Sequence, residues 1–137
     1  MLGELLFEIK GRLTSSRILN AEEYKIEHSL TQEEKLKDIK ITILGTCWKI
    51  PTNKNVTYGE EQGIITTKEG GEDTATFRGY GIGHSKGQVG VSFRGSVFYK
   101  SSISTKGKLS FLNNKIGVFE TEVDESGIST EKVWEWK

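Results

Sequence analysis

Thr74-Ala75-Thr76-Phe77-Arg78-Gly79-Tyr80-Gly81-Ile82-Gly83 alternates along its whole length. Ala75, Phe77, Gly79, Gly81 and Gly83 share one phase of a period-two pattern, and Arg78, Tyr80 and Ile82 share the other. Such alternation marks a strand with one face on a core. Glycine at every second residue strips the side chains from one face, so the strand can coil sharply or a bulky neighbour can cross it. The same letters lack the G-x-G-x-x-G spacing and the following helix that a dinucleotide site requires.

The pattern repeats on both sides of this stretch. Leu5, Phe7, Ile9 and Leu13 share a phase, as do Tyr24, Ile26, His28 and Leu30, and then Ile39, Ile41, Ile43 and Cys47. Val56, Tyr58 and Ile64 define the run from Val56 to Thr67. Val89, Val91, Phe93, Val97 and Tyr99 define that from Gln88 to Lys100. Shorter runs cover Lys108–Leu112, Ile116–Val123 and Ile128–Trp136. Turns are expected at Pro51–Asn55, at Lys68–Asp73 around Gly70-Gly71, at Asn113-Asn114 and at Glu125-Ser126-Gly127. Thr31-Gln32-Glu33-Glu34 fits a capping box and predicts a short helix through Lys37, with a polar loop as the alternative.

Composition agrees with strands. The chain has 137 residues, with 16 Gly, 1 Pro and only 2 Ala against 13 Ile, 7 Val and 13 Thr. Alanine is the best helix former, and β-branched residues favour strands. The length suits one domain, residues 1–137. Eight or nine strands joined by short loops leave no room for parallel crossovers, so the sheet is antiparallel. We therefore expect an all-β fold, a closed up-and-down barrel of about eight strands, because closure removes exposed edges. A two-sheet sandwich is the alternative.

No apolar run approaches the roughly 18 residues of a spanning helix, which argues against a membrane partner. Cys47 is the only cysteine, and Met1-Leu2-Gly3-Glu4 opens no signal-peptide pattern, so a reducing, cytoplasmic setting is the default. The formal net charge of zero conceals segregation. Residues 1–73 carry net −3, residues 74–119 carry seven bases and no acid, and residues 120–137 carry net −4. In an antiparallel meander these blocks become neighbours, so Arg78, Arg94, Lys86 and Lys100 are expected to meet carboxylates. A phosphate or nucleic-acid patch is the competing use, but a zero total charge argues against a nucleic-acid partner.

The chain contains no P-loop, G-x-S-x-G or H-E-x-x-H motif, and its two histidines, His28 and His84, lie far apart, so neither a metal nor a cofactor is expected. Cys47 reads as a small core hydrophobe. Chemistry is sought instead in polar residues on the apolar phase of a strand, where each needs a partner. His28, Tyr58, Glu60, Gln62 and Tyr99 meet that criterion and form the expected ligand-binding set. Phe77, Val91, Phe93, Trp134 and Trp136 would supply an apolar wall. The expected ligand is a small apolar or amphipathic molecule in the barrel lumen. An enzyme reading gives His28 and Glu60 general acid–base roles. The paired tryptophans at the C-terminus are expected to close the core, and if exposed they would suit a homo-oligomer contact.

Tyr58-Gly59-Glu60-Glu61-Gln62-Gly63, Phe77-Arg78-Gly79-Tyr80-Gly81-Ile82-Gly83 and Phe93-Arg94-Gly95-Ser96 together resemble the allene-oxide-cyclase-like, calycin-type barrels. That resemblance implies an eight-stranded antiparallel barrel with an apolar cavity, often oligomeric. It carries over no catalytic residue. The N-terminal Gly-x-Trp of lipocalins is absent, since Gly11 is followed by Arg12 and Leu13.

Overall fold

Period-two patterning becomes strand along most of the chain. The computed structural model describes residues 2–68, 73–86, 90–101 and 107–137. Among these, nine strands form one antiparallel sheet: β1 (Leu2–Arg12), β2 (Ser15–Asn20), β3 (Lys25–Leu36), β4 (Ile39–Asn53), β5 (Val56–Thr67), β6 (Thr74–Ser85), β7 (Val91–Ser101), β8 (Ile116–Val123) and β9 (Ile128–Trp136). Each of β2 to β8 pairs with the next in sequence, and β1 pairs with β9, giving the order β1-β9-β8-β7-β6-β5-β4-β3-β2. Val89, Lys106 and the Gly70-Gly71 turn lie outside the described residues.

The sheet curls strongly into a half-barrel. It is neither a closed barrel of eight strands nor a two-sheet sandwich. The ladder stops between β1 and β3. There the chain passes from the β9 side to the β3 side, and the Thr14 amide donates to the Ser29 carbonyl at 2.9 Å. Across the remaining seam the buried Gln32 side chain donates its amide to the Lys10 carbonyl and, at 2.8 Å, to Glu34 Oε1. A Cβ at Gly11 would collide with the Gln32 carboxamide, so a side chain there would displace this bridge.

Two expectations from local sequence are overturned. The Thr31–Glu34 capping box forms no helix, and β3 continues straight through it to Leu36. The strand then turns on Lys37 and Asp38, whose φ values of 48° and 66° give the paired left-handed conformation of a two-residue hairpin. Burial of Gln32 and Leu36 on one phase of β3 outweighs the local cap. Lys108–Leu112 is not a strand either. It ends in a 3-10 turn, Ser110–Leu112, which puts Leu109 and Leu112 into the core.

The concave face is filled at one end and hollow at the other. Leu36, Ile41, Ile43, Ile65, Ala75, Val97, Leu109, Leu112 and Val133 pack as a continuous cluster. Further along the same strand phases the residues become Gly45, Gly59, Gly63, Gly79, Gly81 and Gly83. A Cβ on Gly81 would lie 2.9 Å from the Phe119 ring, and one on Gly83 would lie 2.5 Å from that of Phe93. Missing side chains thus let aromatic rings lie flat over the strands. On the convex face Arg94 meets Glu120 at 3.5 Å and Glu122 at 3.2 Å, and Lys86 meets Glu122 at 2.7 Å. The basic central block therefore finds the acidic C-terminal block across β7 and β8, as the charge segregation predicts. Arg78 instead donates to Gln62 Oε1 at 2.8 Å. Among the described residues no helix is long and apolar enough to cross a membrane.

Candidate functional site

Strand β5 sets the chemistry of the hollow end. Its ladders to β4 and β6 run without a bulge from Thr57 to Thr66, so side-chain direction alternates strictly. Gly59, Glu61, Gly63, Ile65 and Thr67 face the concave side. Tyr58, Glu60, Gln62 and Ile64 face the convex side, where Ile64 is 47 % exposed. The phase expected from the sequence is therefore inverted. Tyr58, Ile64 and the facing Leu44 are apolar residues on the outer surface, and they mimic a core-facing stripe. Tyr58 packs edge-on against Trp48 there, with centroids 5.6 Å apart. Glu60 and Gln62 border the cavity only as strand neighbours of Glu61, and Gln62 is exposed.

His28 does lie on the concave phase of β3, opposite Cys47, but toward the β2 edge. Its Nδ1 sits 2.9 Å from Ser16 Oγ. Burial, and then the Lys49 charge, lowers its pKa and favours the neutral ring. The expected His28–Glu60 pair is not assembled, because the two side chains occupy opposite faces. Trp134 and Trp136 are likewise corrected: Val133 and Glu135 hold the inward phase of β9, and Trp136 is 53 % exposed. Tyr99 alone of the expected polar set lies deep in the concave interior, stacked on Phe7 at 5.6 Å and tilted against Phe77 at 6.4 Å.

The hollow end holds two inward-facing carboxylates that the expected set omits. Glu61 projects from β5 and Glu131 from β9, with β6, β7 and β8 between them in the sheet. They approach through the interior, across the curl. Glu131 Oε1 accepts a hydrogen bond from Thr121 Oγ1 at 2.9 Å. Glu61 makes no hydrogen bond or ion pair among the described residues. Burial, and then repulsion from Glu131, pushes the Glu61 carboxyl well above the ordinary value of 4.5. Burial also raises Glu131, against the stabilising Thr121 hydrogen bond. The Tyr99 phenol is pushed up by burial and by both carboxylates. Two like charges in one low-dielectric space favour retention of a shared proton.

Both carboxylates line a cavity of about 130 Å³. Its wall is mostly apolar and includes Phe7, Ile43, Phe77, Phe93, Phe119 and Tyr99, with Thr121 and Cys47 beside the acids. Lys49 stands on the concave phase of β4 with Nζ 5.1 Å from the Phe93 ring centroid, and it forms no ion pair with either carboxylate. Cys47 is half-buried, and burial raises its thiol pKa, which suits an inert wall residue more than a nucleophile. Among the described residues no group of three or more His, Cys, Asp or Glu side chains could hold a metal ion.

One sequence signal could have found Glu61. It lies between Gly59 and Gly63 at two-residue spacing and pairs in register with Gly79. A Cβ at Gly79 would be 2.9 Å from Glu61 Oε1. A carboxylate set among glycines of two neighbouring strands sits on the hollow phase. Glu131 carries no comparable local mark. No protein-family model, curated protein or solved structure matches the chain.

Proposed function

We propose that the protein binds a small amphipathic molecule in the concave cavity, with its apolar body against Phe7, Phe93 and Phe119 and its polar group at Glu61 and Glu131. The observation that carries this reading is Glu61, a partly buried carboxylate with no hydrogen-bond donor among the described residues, on the wall of a largely apolar cavity. A carboxylate held in an apolar hollow without a protein donor is costly, and such groups are satisfied by a partner or by water. A ligand donor would supply that partner, and convergent polar groups in an apolar hollow are the usual makeup of a small-molecule site. The volume limits the ligand to about one small ring, since an engineered apolar cavity of about 150 Å³ accommodates benzene.

Native mass spectrometry of the purified protein, joined to titration with benzyl alcohol followed by NMR, tests the reading. Saturable shifts confined to Phe93, Phe119 and Tyr99 support it. Absence of any retained ligand together with absence of saturable shifts overturns it.

An enzyme reading draws on the same pair. One carboxyl that keeps its proton beside one that has lost it can serve as acid and base. In that reading Glu61 and Glu131 take the roles expected of His28 and Glu60. Turnover lost in Glu61→Gln with ligand binding retained would favour it.

A further inference from the structure

We infer that the ligand of the concave cavity is a compact monocation, an ammonium on a small apolar ring, with its charge seated between Glu61 and Glu131 beside the Tyr99 phenol. This inference rests on the binding reading above and narrows it to one chemical class.

Three features of the cavity point the same way. First, two carboxylates from strands four apart converge on one space, and the sheet provides no cation between them. Among the described residues the only lysine in the cavity wall, Lys49, lies over the Phe93 ring and makes no ion pair with either acid. Second, among the described residues only one of the four carboxylate oxygens has a protein donor, the Thr121 hydroxyl. An ammonium brings three donors and no acceptor, which suits a set of oxygens that can only accept once ionised. Third, Phe77, Phe93, Phe119 and Tyr99 turn aromatic surface toward the same hollow. Ring faces attract cations within about 6 Å, and the site already holds one such pair in Lys49 on Phe93, at 5.1 Å. A neutral alcohol could satisfy one oxygen, but it would leave the repulsion between the acids in place. An anionic ligand would add to that repulsion and would have to depend on Lys49.

The groups that face the pair define its pH response. They are Tyr99 from β7, Thr121 from β8, Cys47 and Lys49 from β4, and His28 toward the edge on β3. Burial holds Tyr99 and Cys47 protonated and His28 neutral near pH 7. Burial raises the Glu61 and Glu131 carboxyls, and repulsion from Glu131 raises Glu61 further, so both hold a proton more tightly than exposed acids do. The ammonium therefore competes with their proton.

Benzylamine, benzyl alcohol and benzoate share one ring and nearly one size, so their affinities for the intact protein, measured by isothermal titration at pH 8, isolate the charge. Benzylamine should bind at least about tenfold tighter than benzyl alcohol, and benzoate weakest. The amine-to-alcohol ratio should fall toward one between pH 8 and pH 5 in the unmodified protein, a readout that needs no variant. In the Glu61→Gln/Glu131→Gln double variant the ratio should fall to within about twofold while alcohol binding persists. Equal affinity for amine and alcohol overturns this inference and leaves the binding reading standing, and benzoate as the tightest ligand does the same. Failure of all three to bind overturns the binding reading itself.

Discussion

A methyl group added at Gly95 tests the packing that creates the cavity. Gly95 lies on β7 directly opposite Gly81 of β6 and Phe119 of β8. A Cβ there would stand 2.0 Å from the Tyr80 carbonyl oxygen, 2.7 Å from the Gly81 Cα and 2.7 Å from the Phe119 ring. Ordinary contact begins near 3.4 Å. The first two neighbours are backbone, so no side-chain rotation relieves them, and β6 must move away from β7. The two flanking ladder bonds weaken, at about 1 kcal/mol each. Crowding against Phe119 adds about 1–3 kcal/mol. Lower entropy of the unfolded alanine chain returns about 0.4–1 kcal/mol. Gly95→Ala should therefore destabilise by about 2–4 kcal/mol, a lowering of about 8–16 °C in Tm at this chain length.

Gly83→Ala provides the contrast. Its three nearest contacts would all be on the Phe93 ring, at 2.5–2.9 Å, and that ring borders the cavity. A turned ring costs about 0.5–1.5 kcal/mol, nearly cancelled by the same entropy gain. Urea unfolding followed by circular dichroism measures both variants. A Gly95→Ala cost within about 0.5 kcal/mol of that of Gly83→Ala would refute the claim that backbone approach, and not ring packing, sets this region.

Further predictions concern charge and the seam. Glu61 and Glu131 bind protons more tightly folded than unfolded, so their contribution is fully present below pH 4.5 and is lost as pH rises through their folded values. Stability should fall on going from mildly acid to neutral pH, and Glu61→Gln should flatten that fall; an unchanged slope would show that Glu61 is not buried as described. Glu122 and Glu135 are shifted the other way, first by hydrogen bonds from Lys86 and Lys115 respectively, so their contribution is present above pH 4.5 and lost below it. Gln32→Leu removes the bridge to the Lys10 carbonyl and should cost about 1–3 kcal/mol in urea unfolding, with faster amide exchange along β1; a neutral result would show the seam to be held by packing alone. A double-mutant cycle on Arg94 and Glu122 should give only about 0–1 kcal/mol, declining with salt, because both side chains are about half exposed.

Much of the architecture was legible in the chain. Period-two alternation, scarce alanine and glycine-bearing turns determined strands, an antiparallel meander and the positions of several turns, because these depend on local backbone preference and on short connections. Segregated charge foretold that Arg94 and Lys86 would meet the acids of β8, since neighbours in a meander are neighbours in sequence. The helix expected after Thr31 fails because a cap acts locally, whereas the burial of Gln32 and Leu36 depends on strands far away in sequence.

The site was less legible. Strand β5 carries apolar residues on both phases, with Tyr58 and Ile64 on one and Ile65 on the other. Alternation therefore identifies the strand without saying which face is inside, and Glu60 and Glu61 can exchange roles at no local cost. Only the curl of the whole sheet chooses, by placing Ile65 beside Ile43 and Ala75 and setting Glu61 over Gly79. The same curl brings Glu61 to Glu131 across three intervening strands, a meeting between residues 70 positions apart that no spacing rule encodes. The sequence by itself determined that strands would form and in what order they would pair. Tertiary structure decided which carboxylates share the interior, because facing is a property of the closed-in sheet and not of any one strand.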